Sequence, residues 1–73
     1  MATQAQWNHN PIIRQIVNRC HVGESNSAVL RYVVSRMKSG AWRAQSRAER
    51  KRIMRAALKM HAENRALFSH FRF

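Results

Sequence analysis

Apolar and polar positions along this chain repeat with the period of an α-helix. In the first such segment, five apolar side chains fall within an arc of about 140° on a helical projection: Ile12, Ile13, Ile16, Val17 and Cys20. Asn10 followed by Pro11 is typical of a helix start, because Asn can accept a bond from a free first-turn amide and Pro needs no amide partner there. The pattern predicts a helix from Pro11 to about His21, ended by Gly23.

A second apolar set follows a run of three residues that favour helix N-caps, at positions 25–27. It also covers about 140° of a helical projection and consists of Val29, Leu30, Val33, Val34 and Met37. Three valines and Tyr32 would also suit a strand, but the apolar residues come in adjacent pairs, which a strand would place on opposite faces. The pattern therefore favours a helix, closed by Gly40.

The third segment begins with Ser46 and Glu49, which have the spacing of a capping box. It predicts a helix from Ser46 to Leu67, or as far as Phe71. One side of this helix is lined by Ile53, Met54, Ala57, Met60, His61 and Phe68. The other side carries cations, with small Ala48, Ala62 and Ala66 between them.

Three amphipathic helices that share one core predict an all-α fold, a small three-helix bundle. Residues 1–9 show no apolar periodicity, so we expect a flexible N-terminal segment there and a single helical domain over residues 10–73. Phe68 and Phe71 are expected to fold back on the first helix and complete the core. The alternative is that an exposed Phe73 serves a partner.

The charge of the chain indicates binding rather than catalysis. Among 73 residues, 14 Lys and Arg oppose three acids, which gives a net charge of +11. Half of these cations lie between Arg43 and Lys59, where Glu49 is the single acid. We therefore expect an acidic partner: nucleic acid, an anionic membrane surface or an acidic protein surface. Of these we expect no membrane contact, because the apolar side of the third helix is needed for the core.

Cations four residues apart along the third helix repel one another, and each such pair costs roughly 0.2–0.5 kcal/mol. A small domain has little stability to lose, so a face of this kind is better explained by a partner than by solubility alone, although a merely solvated face stays an alternative. The candidate partner-binding residues are Arg43, Arg47, Lys51, Arg52, Arg55, Lys59, Trp42 and Trp7. For the two tryptophans, the alternatives are a plug at one end of the bundle and an anchor at an interface.

Several other functions find no support in the sequence. We expect no catalytic residues, because the three acids are far apart and the two glycines form no phosphate loop. We expect no metal or other cofactor, since Cys20 and His21 are adjacent rather than spaced as zinc ligands. Cys20 is the only cysteine, which excludes an internal disulfide and indicates a reducing compartment. No apolar run approaches the length of about 20 residues that a membrane helix needs.

The N-terminal stretch MATQAQWNHNPIIRQIVNRCHVGES and the basic stretch SRAERKRIMRAALKMH resemble those of the small transcription regulators of Xanthomonas bacteriophages. The resemblance covers the whole length of the chain. It implies a protein that binds host RNA polymerase, interferes with promoter recognition by the sigma factor and acts as an antiterminator. It also implies docking on the β′ N-terminus and the β flap. We expect a monomer that acts in the cytoplasm of the bacterial host. The resemblance assigns no residue roles. The alternative is a small basic protein that binds nucleic acid without sequence preference.

Overall fold

The computed structural model describes residues 2–71, and for Phe71 the backbone alone. Five helices follow one another: α1 (Gln4–Asn8), α2 (Pro11–Asn18), α3 (Asn26–Arg36), α4 (Ser39–Ala44) and α5 (Arg47–Phe71). No strand occurs within the described residues. The all-α fold is confirmed: three longer helices match the three apolar segments of the sequence, and two short helices are added to them.

Helix α1 lies within the segment that the sequence predicted to be flexible. Its start is a capping box in which Gln6 N donates to Thr3 Oγ1 (3.1 Å) and Thr3 N donates to Gln6 Oε1 (2.7 Å). Gln4 Nε2 donates to the carbonyl of Arg52 on α5 (2.9 Å), so α1 is attached to the last helix. The sequence did not predict this helix, because a helix of five residues is too short to show apolar periodicity.

Helices α2 and α3 begin as predicted and end earlier. The Asn10 side chain accepts bonds from the amides of Ile12 and Ile13 at the start of α2, and Ser25 Oγ accepts from Ala28 N at the start of α3. Helix α2 ends at Asn18 rather than near His21, and α3 ends at Arg36. Neither glycine has positive φ. Gly23 is therefore not a left-handed cap, and Gly40 lies inside α4 instead of closing α3.

Helix α5 is the central element and reaches Phe71, the further of the two predicted ends. Glu49 N donates to Ser46 Oγ (3.1 Å), which is half of the predicted capping box. Helices α1, α2 and α3 all pack against α5. At 1.5 Å per residue α5 spans about 38 Å, which explains why the molecule is elongated, with dimensions of 44 × 22 × 17 Å.

The core lies between α5 and the two helices α2 and α3. Its fully buried side chains are aliphatic or Met and come from the predicted stripes: Ile13, Val17, Val29, Val33, Ile53, Ala57 and Met60. Burying each of the larger side chains stabilises the fold by about 1.5–3 kcal/mol. Removal of this apolar surface from water is therefore the main favourable contribution to folding.

The C-terminal part of α5 departs from the prediction. Phe68 is 51% exposed and Leu67 is 56% exposed, so Phe68 does not fold back into the core. Helix α2 ends at Asn18, whose side chain accepts from Asn64 (2.9 Å), and the following loop meets α5 at His61 and Arg65. The last turns of α5 extend beyond these contacts. The predictions for the Phe71 side chain and for Phe73 lie outside the described residues.

Candidate functional site

Four cations follow one another at intervals of four residues along the solvent side of α5. We call Arg47, Lys51, Arg55 and Lys59 the cationic face; all four side chains are exposed. The opposite side of the helix holds the core residues Ile53, Ala57 and Met60. Because the buried stripe fixes the rotation of α5, it also fixes the direction in which these cations project.

The acids of the chain leave most of this face without a counter-charge. Glu49 is only 5% exposed, accepts a hydrogen bond from the indole Nε1 of Trp7 and lies 3.7 Å from Arg52 Nη1. Glu63 contacts Lys59 Nζ at 3.2 Å and Arg14 Nη2 at 3.4 Å. Within the described part of the chain, Arg47, Lys51 and Arg55 therefore form no ion pair.

The ion pair at Glu63 changes the charge balance at one end of the face. The hydrogen bond from Lys59 lowers the pKa of the Glu63 carboxyl below its usual value, and the charge of Arg14 acts in the same direction. Glu63 is therefore ionised at neutral pH and partly neutralises Lys59. Of the four cations, Lys59 is the one least available to an outside anion.

The remaining predicted cations differ from these four in their surroundings. Arg52 is half-buried and faces Glu49, so it belongs to the network that holds the buried acid. Arg43 is exposed on α4, ahead of the first turn of α5. The structure thus brings Arg47, Lys51 and Arg55 together on one uncompensated row, with Arg43 on a neighbouring helix.

Trp7 and Trp42 both pack against the hydrophobic core as half-buried side chains. Trp7 connects α1 to α5 through its bond to Glu49. Trp42 lies beneath the guanidinium of Arg50, which is 6.0 Å from the centre of the ring, and Arg50 also donates to the carbonyl of Gln45. Both tryptophans therefore join elements of the fold, which is the plug alternative, and each keeps some exposed surface.

Leu58 is a neighbour of the cationic face that the sequence analysis did not select. It is half-buried on α5, three residues after Arg55 and one before Lys59. Side chains three or four residues apart on a helix adjoin one another, so Leu58 is an apolar group next to the cations. An aliphatic residue inside a basic helical segment, off the main apolar stripe, is the signal that could have identified it.

The arrangement can bind anions. No three His, Cys, Asp or Glu side chains within residues 2–71 lie close enough to hold a metal ion. In the same range, no helix combines the length and the apolar character needed to span a bilayer. The chain matches no protein-family model, no curated protein and no solved structure at a significant level.

Proposed function

We propose that this protein is a phage transcription regulator that binds host bacterial RNA polymerase in the cytoplasm of the bacterium. The observation that carries the proposal is the row formed by Arg47, Lys51 and Arg55, which is exposed and has no acidic partner within the described residues. Resemblance to the regulators of Xanthomonas phages supplies the identity of the acidic partner. In this proposal the protein acts as a monomer without a cofactor, and it docks on the β′ N-terminus and the β flap.

A rigid cationic helix suits docking on a large acidic assembly. Positive charge held on one side of α5 accelerates association with a negative surface and orients the protein as it arrives. Apolar contacts then determine how long the complex lasts, and Leu58 lies within the face to provide one. By occupying this surface, the protein prevents the sigma factor from directing promoter recognition, and by remaining on the elongating enzyme it permits read-through of terminators.

The first test is capture of the partner. The tagged protein is incubated with host lysate after digestion of DNA and RNA, and the bound proteins are identified. Recovery of the large polymerase subunits supports the proposal, whereas their absence contradicts it, because nucleic acid can no longer bridge the two proteins.

The second test concerns the cationic face itself. In the double variant Lys51→Glu/Arg55→Glu, we expect association with purified polymerase to slow by about tenfold or more at low salt. The control variant Arg31→Glu/Lys38→Glu changes the net charge equally at exposed positions outside α5. If the two variants bind alike, or if the first binds as the wild type does, the cationic face is not the docking surface.

One observation favours the alternative, a nucleic-acid binder without sequence preference. Ala48, Ala62 and Ala66 are exposed between the cations, which leaves room for a sugar-phosphate backbone to approach α5. Gln45, whose amide could read adenine, is half-buried at the end of α4. Phosphate binding by four cations predicts a log–log salt dependence with a slope of about −3 to −4. Polymerase binding that includes apolar contacts should show a shallower slope.

A further inference from the structure

A second surface lies between α2 and α3, and no residue of α5 lines it. It is a cleft of about 280 Å³ lined by Ile12, Gln15, Ile16, Arg19, Tyr32 and Arg36. We call it the α2–α3 cleft. Because it is separate from the cationic face, an inference about it does not depend on the proposed function.

The cleft combines an apolar wall with exposed aliphatic surface. Ile12 is 65% exposed, the largest exposed fraction among the big apolar side chains of the described residues. Ile16, one turn later on α2, is half-buried and packs against the core. A residue such as Ile12, at the edge of an open cleft, gives a partner an aliphatic contact that the protein itself does not use.

The two charged groups of the cleft are both arginines. Arg36 is held in place by Tyr32, because its Nε donates to the Tyr32 hydroxyl (3.1 Å) and its guanidinium carbon lies 5.4 Å from the centre of the ring. Its two Nη nitrogens form no hydrogen bond within residues 2–71. Arg19 is exposed and has no ion pair in the same range. A guanidinium fixed in this way can bind a carboxylate with two parallel bonds.

We propose that the α2–α3 cleft binds an acidic protein segment in which an aliphatic side chain lies between carboxylates. The aliphatic side chain would pack on Ile12 and Ile16, and the carboxylates would pair with Arg19 and Arg36. Charge complementarity selects this occupant. A second copy of the chain would bring another net charge of +11 to the cleft. Nucleic acid fits the cleft less well, because the guanidinium of Arg36 already lies over the ring of Tyr32, where a base would stack. A phosphate backbone also binds best to a row of cations, and the cleft has two isolated ones.

The probe for this cleft is a short synthetic helical peptide, blocked at both ends, with Leu on one face and Glu on the flanks. The control peptides are a scrambled sequence of the same composition and a version with Lys in place of Glu. Amide chemical shifts of the full-length protein are followed by NMR at physiological ionic strength. We expect the peptide to shift the amides of Ile12, Ile16, Tyr32 and Arg36, and the two control peptides to bind at least about tenfold more weakly.

Variants separate the cleft from general attraction by a cationic protein. Ile12→Ser and Arg36→Gln are expected to weaken peptide binding by about five- to tenfold each. Leu67→Ser and Lys38→Gln are the matched controls, because they change an exposed aliphatic residue and an exposed cation outside the cleft. The variant Lys51→Glu/Arg55→Glu should retain peptide shifts in the cleft, so that failure of this inference and failure of the proposed function can be distinguished.

Four outcomes would overturn the inference. The first is equal binding by the Ile12→Ser variant and its Leu67→Ser control, and the second is equal binding of the scrambled peptide. The third is a set of shifts confined to the surroundings of Lys51 and Arg55. The fourth is perturbation of the cleft by a single-stranded oligonucleotide, or by added unlabelled protein, in preference to the acidic peptide.

Discussion

Trp7 and Glu49 connect the first and last helices through a single hydrogen bond between an indole and a buried carboxylate. A buried carboxylate is costly unless its oxygens are hydrogen-bonded or paired with a cation. Here Trp7 supplies the hydrogen bond and Arg52 supplies the charge. The exposed cations Arg47, Lys51 and Arg55 have no such ion pair within the described residues. At the scale of single residues, the basic segment therefore divides into groups that hold the fold together and groups that remain available to a partner.

The Trp7→Phe variant tests the structural role of the indole. Because Phe retains a ring but cannot donate to Glu49, we expect the free energy of unfolding to fall by about 1–3 kcal/mol. Trp42→Phe is the control, since Trp42 is also half-buried against the core but has no comparable bond to a buried acid. Urea denaturation at neutral pH measures both variants. Equal losses in the two variants would show that the hydrogen bond adds nothing beyond packing.

Cys20 offers a second test at this scale. Burial raises the pKa of the Cys20 thiol above its usual value, and the charge of Glu24 acts in the same direction. At a given pH the folded protein therefore has less thiolate than the unfolded chain, and thiolate is the reactive form. We expect alkylation at mildly alkaline pH to be several-fold slower in the folded protein than in denaturant. Equal rates in the two states would contradict the raised pKa.

At the scale of helices, an apolar stripe of two turns or more could be recognised in the sequence, whereas a shorter element could not. The cores of α2, α3 and α5 follow from the positions of Ile13, Val29 and Ile53 within such stripes. Helices α1 and α4 have five and six residues, fewer than two turns, so no stripe exists to be read. The threonine and glutamine of the α1 capping box were the available signal.

The apolar pattern of the sequence also could not predict how far one helix extends beyond its neighbours. Phe68 continues the apolar stripe of α5, but α2 ends too early to cover it.

The candidate site also has one part that the sequence could predict and another that it could not. The row formed by Arg47, Lys51 and Arg55 could be predicted from spacing, whereas the bond from Trp7 to Glu49 depends on the packing of α1 against α5. Spacing along one helix predicts neighbours on that helix, and contacts between helices require the packing.

The ion pairs of Glu63 give a pH test at the scale of helices, because they connect α5 to itself and to α2. The Lys59 hydrogen bond and the Arg14 charge lower the pKa of Glu63 from its usual 4.5. The resulting stabilisation is present above that value and is lost as the pH falls below it through the lowered pKa. We expect Glu63→Gln to flatten the dependence of the melting temperature on pH in this acidic range. Glu24→Gln, whose carboxylate has no ion pair within the described residues, should leave the dependence as steep as in the wild type.

For the whole molecule, the proposed function implies a conflict between stability and binding. The chain has a net charge of +11 on a fold of only 73 residues. Repulsion among these charges opposes the compact state, and salt screens it. Where charge is retained for a partner, its removal should stabilise the free protein and weaken the complex. Where charge serves only solubility, its removal should have little effect on binding.

The Lys51→Gln/Arg55→Gln variant tests this conflict directly. It removes the three pairs of cations that lie four residues apart on α5, and each pair destabilises the helix by roughly 0.2–0.5 kcal/mol. We therefore expect the free energy of unfolding to rise by about 0.5–1.5 kcal/mol. Gln has a helix propensity close to that of Lys and Arg, so this gain comes from charge rather than from backbone preference. The control variant Arg31→Gln/Lys38→Gln removes the same charge from positions without a cation four residues away, and its gain in stability should be smaller.

Added salt should raise the melting temperature of the wild type more than that of the α5 variant, because less repulsion remains in the variant to be screened. In parallel, the α5 variant should bind polymerase more weakly than the control does. If it is more stable and binds polymerase as the wild type does, the cations of α5 are not kept for this partner, and the proposed function loses the observation that carries it.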